Sequence, residues 1–388
     1  MKPRSLLLIF VVMLFGPLAP GADASAYAPG SLAAAAEGAG VHVGAAIDSN
    51  LNASRREVAA REFTSATVEN SLKWQPLSPS PGVYDFSQAD QAVDWAEQNN
   101  LRIRGHTFIW NSLNGKPGWL DAEVNSAADP AAHLTQLMET HIETVMQRYA
   151  GRIEQWDVVN EPLSTLGAEH DPASLFYQTL GEPYLDIAFH AARVADPQAA
   201  LFLNETLTEP LPAKFQALMQ IVQGMQARGV PIDGVGLQGH FFLGPPDPVA
   251  LKAQLEAVAA LGLLVELTEV DIPISHFASQ PDPLAAQGEA YRDVFAACIQ
   301  VSACTGVTTW GIDDADTWLD TFYISQPNAP NRPLLFDEQF DPKPAYDAVV
   351  EVLLAARVPL LPPGGLALLA GALGLLGARF GSGGSKLL

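Results

Sequence analysis

The sequence predicts a closed (β/α)8 barrel, an α/β TIM-barrel architecture in a single domain. Three observations carry this. Short β-rich runs recur along the 388 residues, Ala- and Leu-rich helical segments separate them, and nearly every run delivers a polar or aromatic residue to its C-terminal end. Alternation of this kind closes into a parallel barrel, and chains of this length form one such domain. In order, strands are read at 41–47 (VHVGAAI), 63–69 (FTSATVE), 101–109 (LRIRGHTFI), 155–160 (QWDVVN), 200–204 (ALFLN), 235–241 (VGLQGHF), 263–271 (LLVELTEVD) and 306–312 (GVTTWGI). The intervening helices include 87–99, 131–149, 173–195, 212–228, 248–261 and 283–301, with apolar residues at three- and four-residue spacing, as in HLTQLMETHIETVMQRY. The loops after the third and eighth strands are long and carry Gly, Pro and Trp, the composition of loops that line a binding site.

The barrel is read as 37–355, with 27–36 as a linker. Residues 1–26 have the pattern of an export signal: Lys2 and Arg4, an apolar run from Leu6 to Phe15, then the small residues Ala24, Ser25 and Ala26. At the other end, residues 356–388 hold an uncharged stretch between Arg357 and Arg379 that reaches bilayer-spanning length only with its Pro-Pro-Gly-Gly start. With its basic end (Arg379, Lys386) it resembles a bacterial C-terminal sorting tail, which implies contact with a membrane or a sorting enzyme. The expected location is therefore outside the cytoplasm: secreted, periplasmic or at the cell surface.

A formal net charge of −22 repels nucleic acid and anionic membranes, and suits a neutral polymer as partner. Cys298 and Cys304 form a local disulfide in an oxidising compartment or remain two buried thiols. Two thiols without a His cluster do not make a zinc site, so neither metal nor cofactor is expected. A monomer is expected.

The chemistry sits at the strand ends. Glu69 and Asn70 follow strand two, His106 and Trp110 lie on strand three, and Asn160 and Glu161 end strand four. Asn204 and Glu205 end strand five, Gln238 and His240 strand six, Glu269 and Asp271 strand seven, and Trp310 strand eight. That end is the active face of this fold. A structural role would explain one or two such residues, not the set. Glu161 and Glu269 stand out as a pair. Glycoside hydrolysis needs two carboxyl groups in opposite protonation states, one to protonate the leaving oxygen and one to attack. Glu161 reads as the proton donor, oriented by Asn160 and held neutral by burial and by repulsion from Glu269. Glu269 reads as the nucleophile, kept ionised by a network through His240 and Asp271. Trp74 and Trp156 read as core.

These motifs resemble glycoside hydrolase family 10, the endo-β-1,4-xylanases. The matching stretches are ENSLKW (69–74), RGHTFIW (104–110), WDVVNEP (156–162), VGLQGHF (235–241), LTEVDI (267–272), TTWGIDDADTW (309–318) and LLFDEQFDPKPAY (334–346). The resemblance implies a retaining mechanism on xylan or xylo-oligosaccharide, with Glu161 as acid/base and Glu269 as nucleophile. It also implies that Glu69, Asn70, Lys73, His106, Trp110, Asn160, Gln238, His240, Trp310 and Trp318 bind sugar. Indole faces pack on the apolar faces of pyranose rings, and the polar side chains bond their hydroxyls. Four positions depart from the family pattern: Asn111 where His is common, Leu113 where a sugar-binding Gln is common, Thr206 where Tyr is common and Leu319 where Arg is frequent. Two other readings are a cell-surface barrel that holds β-glycan with little or no turnover, and a family member acting on another β-linked glycoside.

Overall fold

Eight parallel strands close on one another in sequence order in the computed structural model, which describes residues 27–322 and 331–357. They are β1 (His42–Ile47), β2 (Ser65–Val68), β3 (Arg102–Trp110), β4 (Gln155–Asn160), β5 (Ala200–Glu205), β6 (Gly234–Leu237), β7 (Leu264–Val270) and β8 (Cys304–Thr309). The closing ladder sets His42 opposite Gly306 and Ala45 opposite Thr309. The export-signal segment and the apolar stretch beyond Arg357 lie outside the described residues. Among the described residues, no helix is long and apolar enough to cross a membrane.

The helices start where the sequence says they must. Pro130, Pro248 and Pro283 each occupy the first turn of a helix, where a missing N–H costs no hydrogen bond. Asp129, Asp247 and Asp282 precede them and cap the free amides, for example Asp129 Oδ1 to Ala132 N at 3.1 Å. Apolar faces then pack on the sheet. Trp74 and Trp156 are buried there as expected, with Trp156 stacked on Phe108 at 4.4 Å and Trp74 on His141 at 4.3 Å.

Besides the eighth strand, read at 306–312 and found at Cys304–Thr309, the elements differ from expectation in three places, each with a local cause. The helix read at 173–195 is two helices, Leu175–Leu180 and Pro183–Ala195. Gly181 turns the chain at φ +65° and Pro183 cannot continue the first helix. Strand β6 stops at Leu237, because Gly239 adopts φ +75° and redirects the chain through His240. The second half of the stretch read as a linker, 32–36, is the buried part of a helix, Leu32–Ala39, capped by Ser31 and tied through Leu32 N to Glu62 Oε2 at 2.9 Å. That helix packs against the last one, Pro344–Ala356, and the Nε of Arg357 donates to the carbonyl of Ala35 at 3.3 Å. Both ends of the described chain therefore sit by the start of β1, on the N-terminal side of the barrel.

Cys298, near the end of helix Pro283–Ile299, and Cys304, which opens β8, are joined by a disulfide with their Cα atoms 5.3 Å apart. The barrel lumen carries charge. Arg104 on β3 reaches across to Glu266 on β7 at 2.9 Å and also bonds Asp157 on β4. Strands three and seven are not neighbours, so this contact spans the interior. Burial opposes charge on Arg104, but Asp157 and Glu266 outweigh it and raise its pKa. Asp157 is pushed up by burial but held below the usual carboxylate range by Arg104 and His106. An unpaired charge here would be strongly destabilising.

Candidate active site

Above that charged layer, at the C-terminal ends of the strands, is a cavity of about 430 Å³ lined by Glu161, Glu269 and all ten residues expected to bind sugar. Asp271 lies behind the cavity wall, against His240. Trp310 comes one residue after β8 rather than within it, and Trp318 lies further along the same loop.

Glu161 follows the last residue of β4 and has φ +52°, a left-handed conformation that costs a non-glycine residue on the order of 1–2 kcal/mol. Its amide still bonds Asn204 O at 2.9 Å, so the turn begins as the ladder ends. The carboxyl receives two neutral N–H donors: Trp110 Nε1 to Oε2 and Gln238 Nε2 to Oε1, both at 3.0 Å.

Glu269 is held differently. Asn204 Nδ2 donates to Oε1 at 2.7 Å, and His240 Nε2 meets Oε2 at 3.1 Å. The other ring nitrogen of His240 meets Asp271 Oδ2 at 2.9 Å. Burial opposes a charge on this imidazole, but the two carboxylates, Asp271 foremost, push its pKa up to about 10. It is therefore an imidazolium at neutral pH, donating from both nitrogens. Burial pushes Glu269 upward, yet the His240 hydrogen bond and the electrostatic influence of His106 and His240 hold its carboxyl below the ordinary value. Glu269 is thus ionised at neutral pH, as a nucleophile needs.

The two carboxyl groups are bridged by amides. Gln238 Nε2 spans Glu161 Oε1 and Asn160 Oδ1 (3.3 Å), and Asn204 Nδ2 spans Asn160 Oδ1 (2.8 Å) and Glu269. Asn204 was placed at the active-face end of its strand by the sequence but was given no role there. Its own carbonyl oxygen accepts from Thr268 Oγ1 at 2.6 Å, which fixes the amide's orientation. Gly236 makes room for it: a Cβ there would lie 2.1 Å from Asn204 Oδ1.

The sugar-facing walls are anchored from behind. His106 Nδ1 meets Asp157 Oδ2 at 2.9 Å, coupling the cavity to the lumen network. Lys73 donates to Asn70 Oδ1 at 2.8 Å and lies 5.0 Å from the Trp110 ring. Burial lowers its pKa despite the carboxylates around it. Trp318 Nε1 donates to Asp271 Oδ2 at 2.7 Å, so the same carboxylate orients an indole and the imidazolium. Of the departures from the family pattern, Thr206 and Asn111 line the cavity. The Asn111 amide donates to Asp171 at 2.9 Å. Leu319 is fully buried beside Leu207 and Phe242 and supports Trp318, while Leu113 is 93% exposed. Ser112, Asn114, Thr165 and Phe242 complete the lining and carried no sequence signal beyond their loops.

The model of glycosyl hydrolase family 10 matches residues 31–352. An endo-1,4-beta-xylanase A of Phanerodontia chrysosporium is 38% identical over 287 residues, covering 74% of this chain and 67% of that one. An endo-1,4-beta-xylanase B of Thermotoga neapolitana is 34% identical over 323 residues, 82% of this chain and 90% of its own. Xylanase 10B of Thermotoga petrophila, solved in complex with xylobiose, superposes with a TM-score of 0.77 at 34% identity, covering 84% of this chain and 98% of that one.

Proposed function

The chain belongs to glycosyl hydrolase family 10, and from that premise we propose that it is an exported, retaining endo-1,4-β-xylanase with Glu161 as acid/base and Glu269 as nucleophile. One observation carries the assignment of roles. Two carboxyl groups lining one cavity have opposite surroundings: a cation and an amide at Glu269, neutral donors alone at Glu161.

In the first step a Glu269 oxygen attacks the anomeric carbon of the sugar on its side of the scissile bond. The bond to the glycosidic oxygen breaks as Glu161 gives that oxygen its proton. The result is a glycosyl ester on Glu269 and a free hydroxyl on the departing xylan. In the second step Glu161, now a carboxylate, takes a proton from water. The water oxygen attacks the same carbon from the face the leaving group vacated. Glu269 is released as a carboxylate, Glu161 is reprotonated, and two inversions give net retention. His240 contributes most when Glu269 is charged, so it favours ester cleavage as well as ionisation before attack. Trp310 and Trp318 offer indole surfaces to sugar rings, and Glu69, Asn70 and Lys73 offer donors and acceptors to hydroxyls. The disulfide suits an oxidising compartment and supports export together with the pattern of residues 1–26.

Incubation with xylan should release reducing ends, with β-configured ends appearing first in proton NMR. A 2-fluoro-xylobioside with an activated leaving group should esterify Glu269, located by peptide mass spectrometry. No release of reducing ends would favour a glycan-binding barrel. Initial α-configured product would overturn retention.

A further inference from the structure

A buried ion pair beneath the Glu161 corner takes no part in these steps. Glu205, the last residue of β5, and Lys214, in helix Pro212–Ala227, meet at 3.0 Å with side chains 0% and 1% exposed. Well-packed apolar residues often stabilise such a position as well or better, so the pair calls for a reason other than stability. Apart from the amide of Thr206, which donates to Glu205 Oε1 at 2.9 Å, its remaining bonds supply one. Glu205 Oε2 accepts from the amide of Leu163 at 3.0 Å, and Lys214 Nζ donates to the carbonyl of Thr165 at 3.0 Å. The pair therefore grips the chain just beyond Glu161 at two points. This is the turn that begins at φ +52° on Glu161, a conformation a non-glycine residue keeps only when its neighbours impose it. Burial pushes the Glu205 carboxyl up to about 7 against the pull of Lys214, and the charge of Glu161 adds to the rise, so the two carboxyls also feel each other.

We propose that the Glu205–Lys214 pair is a positioning device for the proton donor: by clamping Leu163 and Thr165 it fixes the direction in which the Glu161 carboxyl faces the glycosidic oxygen. The proposal rests on Glu161 being the donor. A misaimed donor penalises only those substrates whose leaving group needs a proton, whereas general loosening of the site penalises all substrates alike.

The test uses aryl β-xylobiosides whose leaving groups differ in acidity, phenyl against 2,4-dinitrophenyl. Two variants are compared with the parent: Glu205→Gln, which keeps an acceptor for Leu163, and the double variant Glu205→Leu/Lys214→Met, which removes both charges together. In the double variant, kcat/KM should fall about tenfold or more further for the phenyl substrate than for the dinitrophenyl one, with Glu205→Gln in between. Equal losses on both substrates, whatever the change in Tm, would overturn the clamp. Glu205→Gln preserves side-chain shape and decides the matter if the double variant does not fold. Glu161→Gln, measured alongside, separates the two failures. If it too shows no dependence on leaving group, the donor assignment is wrong. If it shows a strong dependence that the Glu205 variants lack, only the clamp is wrong.

Discussion

The ends of β4 and β7 each present a glutamate to the same cavity, yet the two are built on different principles. Glu269 is part of a strand, almost wholly buried, and locked to an imidazolium that a second carboxylate sustains. Glu161 is just past its strand, half-buried, in a strained turn, and touched only by neutral donors. The first corner stabilises a charge. The second gives its carboxyl no charged hydrogen-bond donor and sets it in a left-handed turn. The two glutamates are thus distinguished by what donates to them.

Three experiments sharpen or break this contrast. The largest effect is expected from Glu269→Gln, which should lower kcat on xylan by on the order of 10⁴-fold or more while the circular dichroism spectrum stays that of the parent. Near-parental activity would remove the nucleophile from the β7 corner. Next is Asp271→Asn, which should destabilise the protein at pH 7 by about 1.5–3 kcal/mol, read from denaturant unfolding. The sign of its pH dependence follows from the shifts. His240 is raised from 6.5 to about 10, so its contribution is complete below about 6.5 and disappears as pH climbs through about 10. Glu269 is depressed, so its contribution is present above its ordinary value of 4.5 and disappears as pH falls through the lower folded value. Without the Asp271 charge the folded-state value of His240 drops, so the alkaline loss of stability should be smaller and should end at lower pH, as a Tm profile from pH 6 to 10 would record. Trp110→Phe, which removes a neutral donor from the other corner, should leave that profile in place; a similar shift in both variants would contradict the contrast. The smallest effect is expected away from both corners. Leu113→Gln should lower KM for xylo-oligosaccharides by about tenfold at most, the worth of one hydrogen bond, because the side chain is 93% exposed at the rim.

Much of the β7 corner was legible in the sequence, because a Glu and an Asp flanking the end of an apolar run are costly unless partnered, and QGH supplied the partner one strand earlier. The β4 corner was legible only in part. Glu161 announced itself after WDVVN, but nothing local marked Lys214, a helical lysine of ordinary appearance that proves to be buried, or Glu205 as its counterpart. Such pairs depend on how a helix is rotated against the sheet, which side-chain periodicity fixes only coarsely. Arg104 lay inside a matched stretch, but nothing local said that Glu266 would meet it from the far side of the barrel. The break at Gly181 and Pro183 was written in the residues themselves, whereas the Leu32–Ala39 helix was hidden by a composition of small residues shared with flexible spacers.

The contact between Arg357 and Ala35 also fixes an orientation. Since the folded body both starts and finishes beneath the floor of the barrel, any tether continuing from either terminus would hold the molecule by its base. The cavity would then face away from the point of attachment, open to a long polymer.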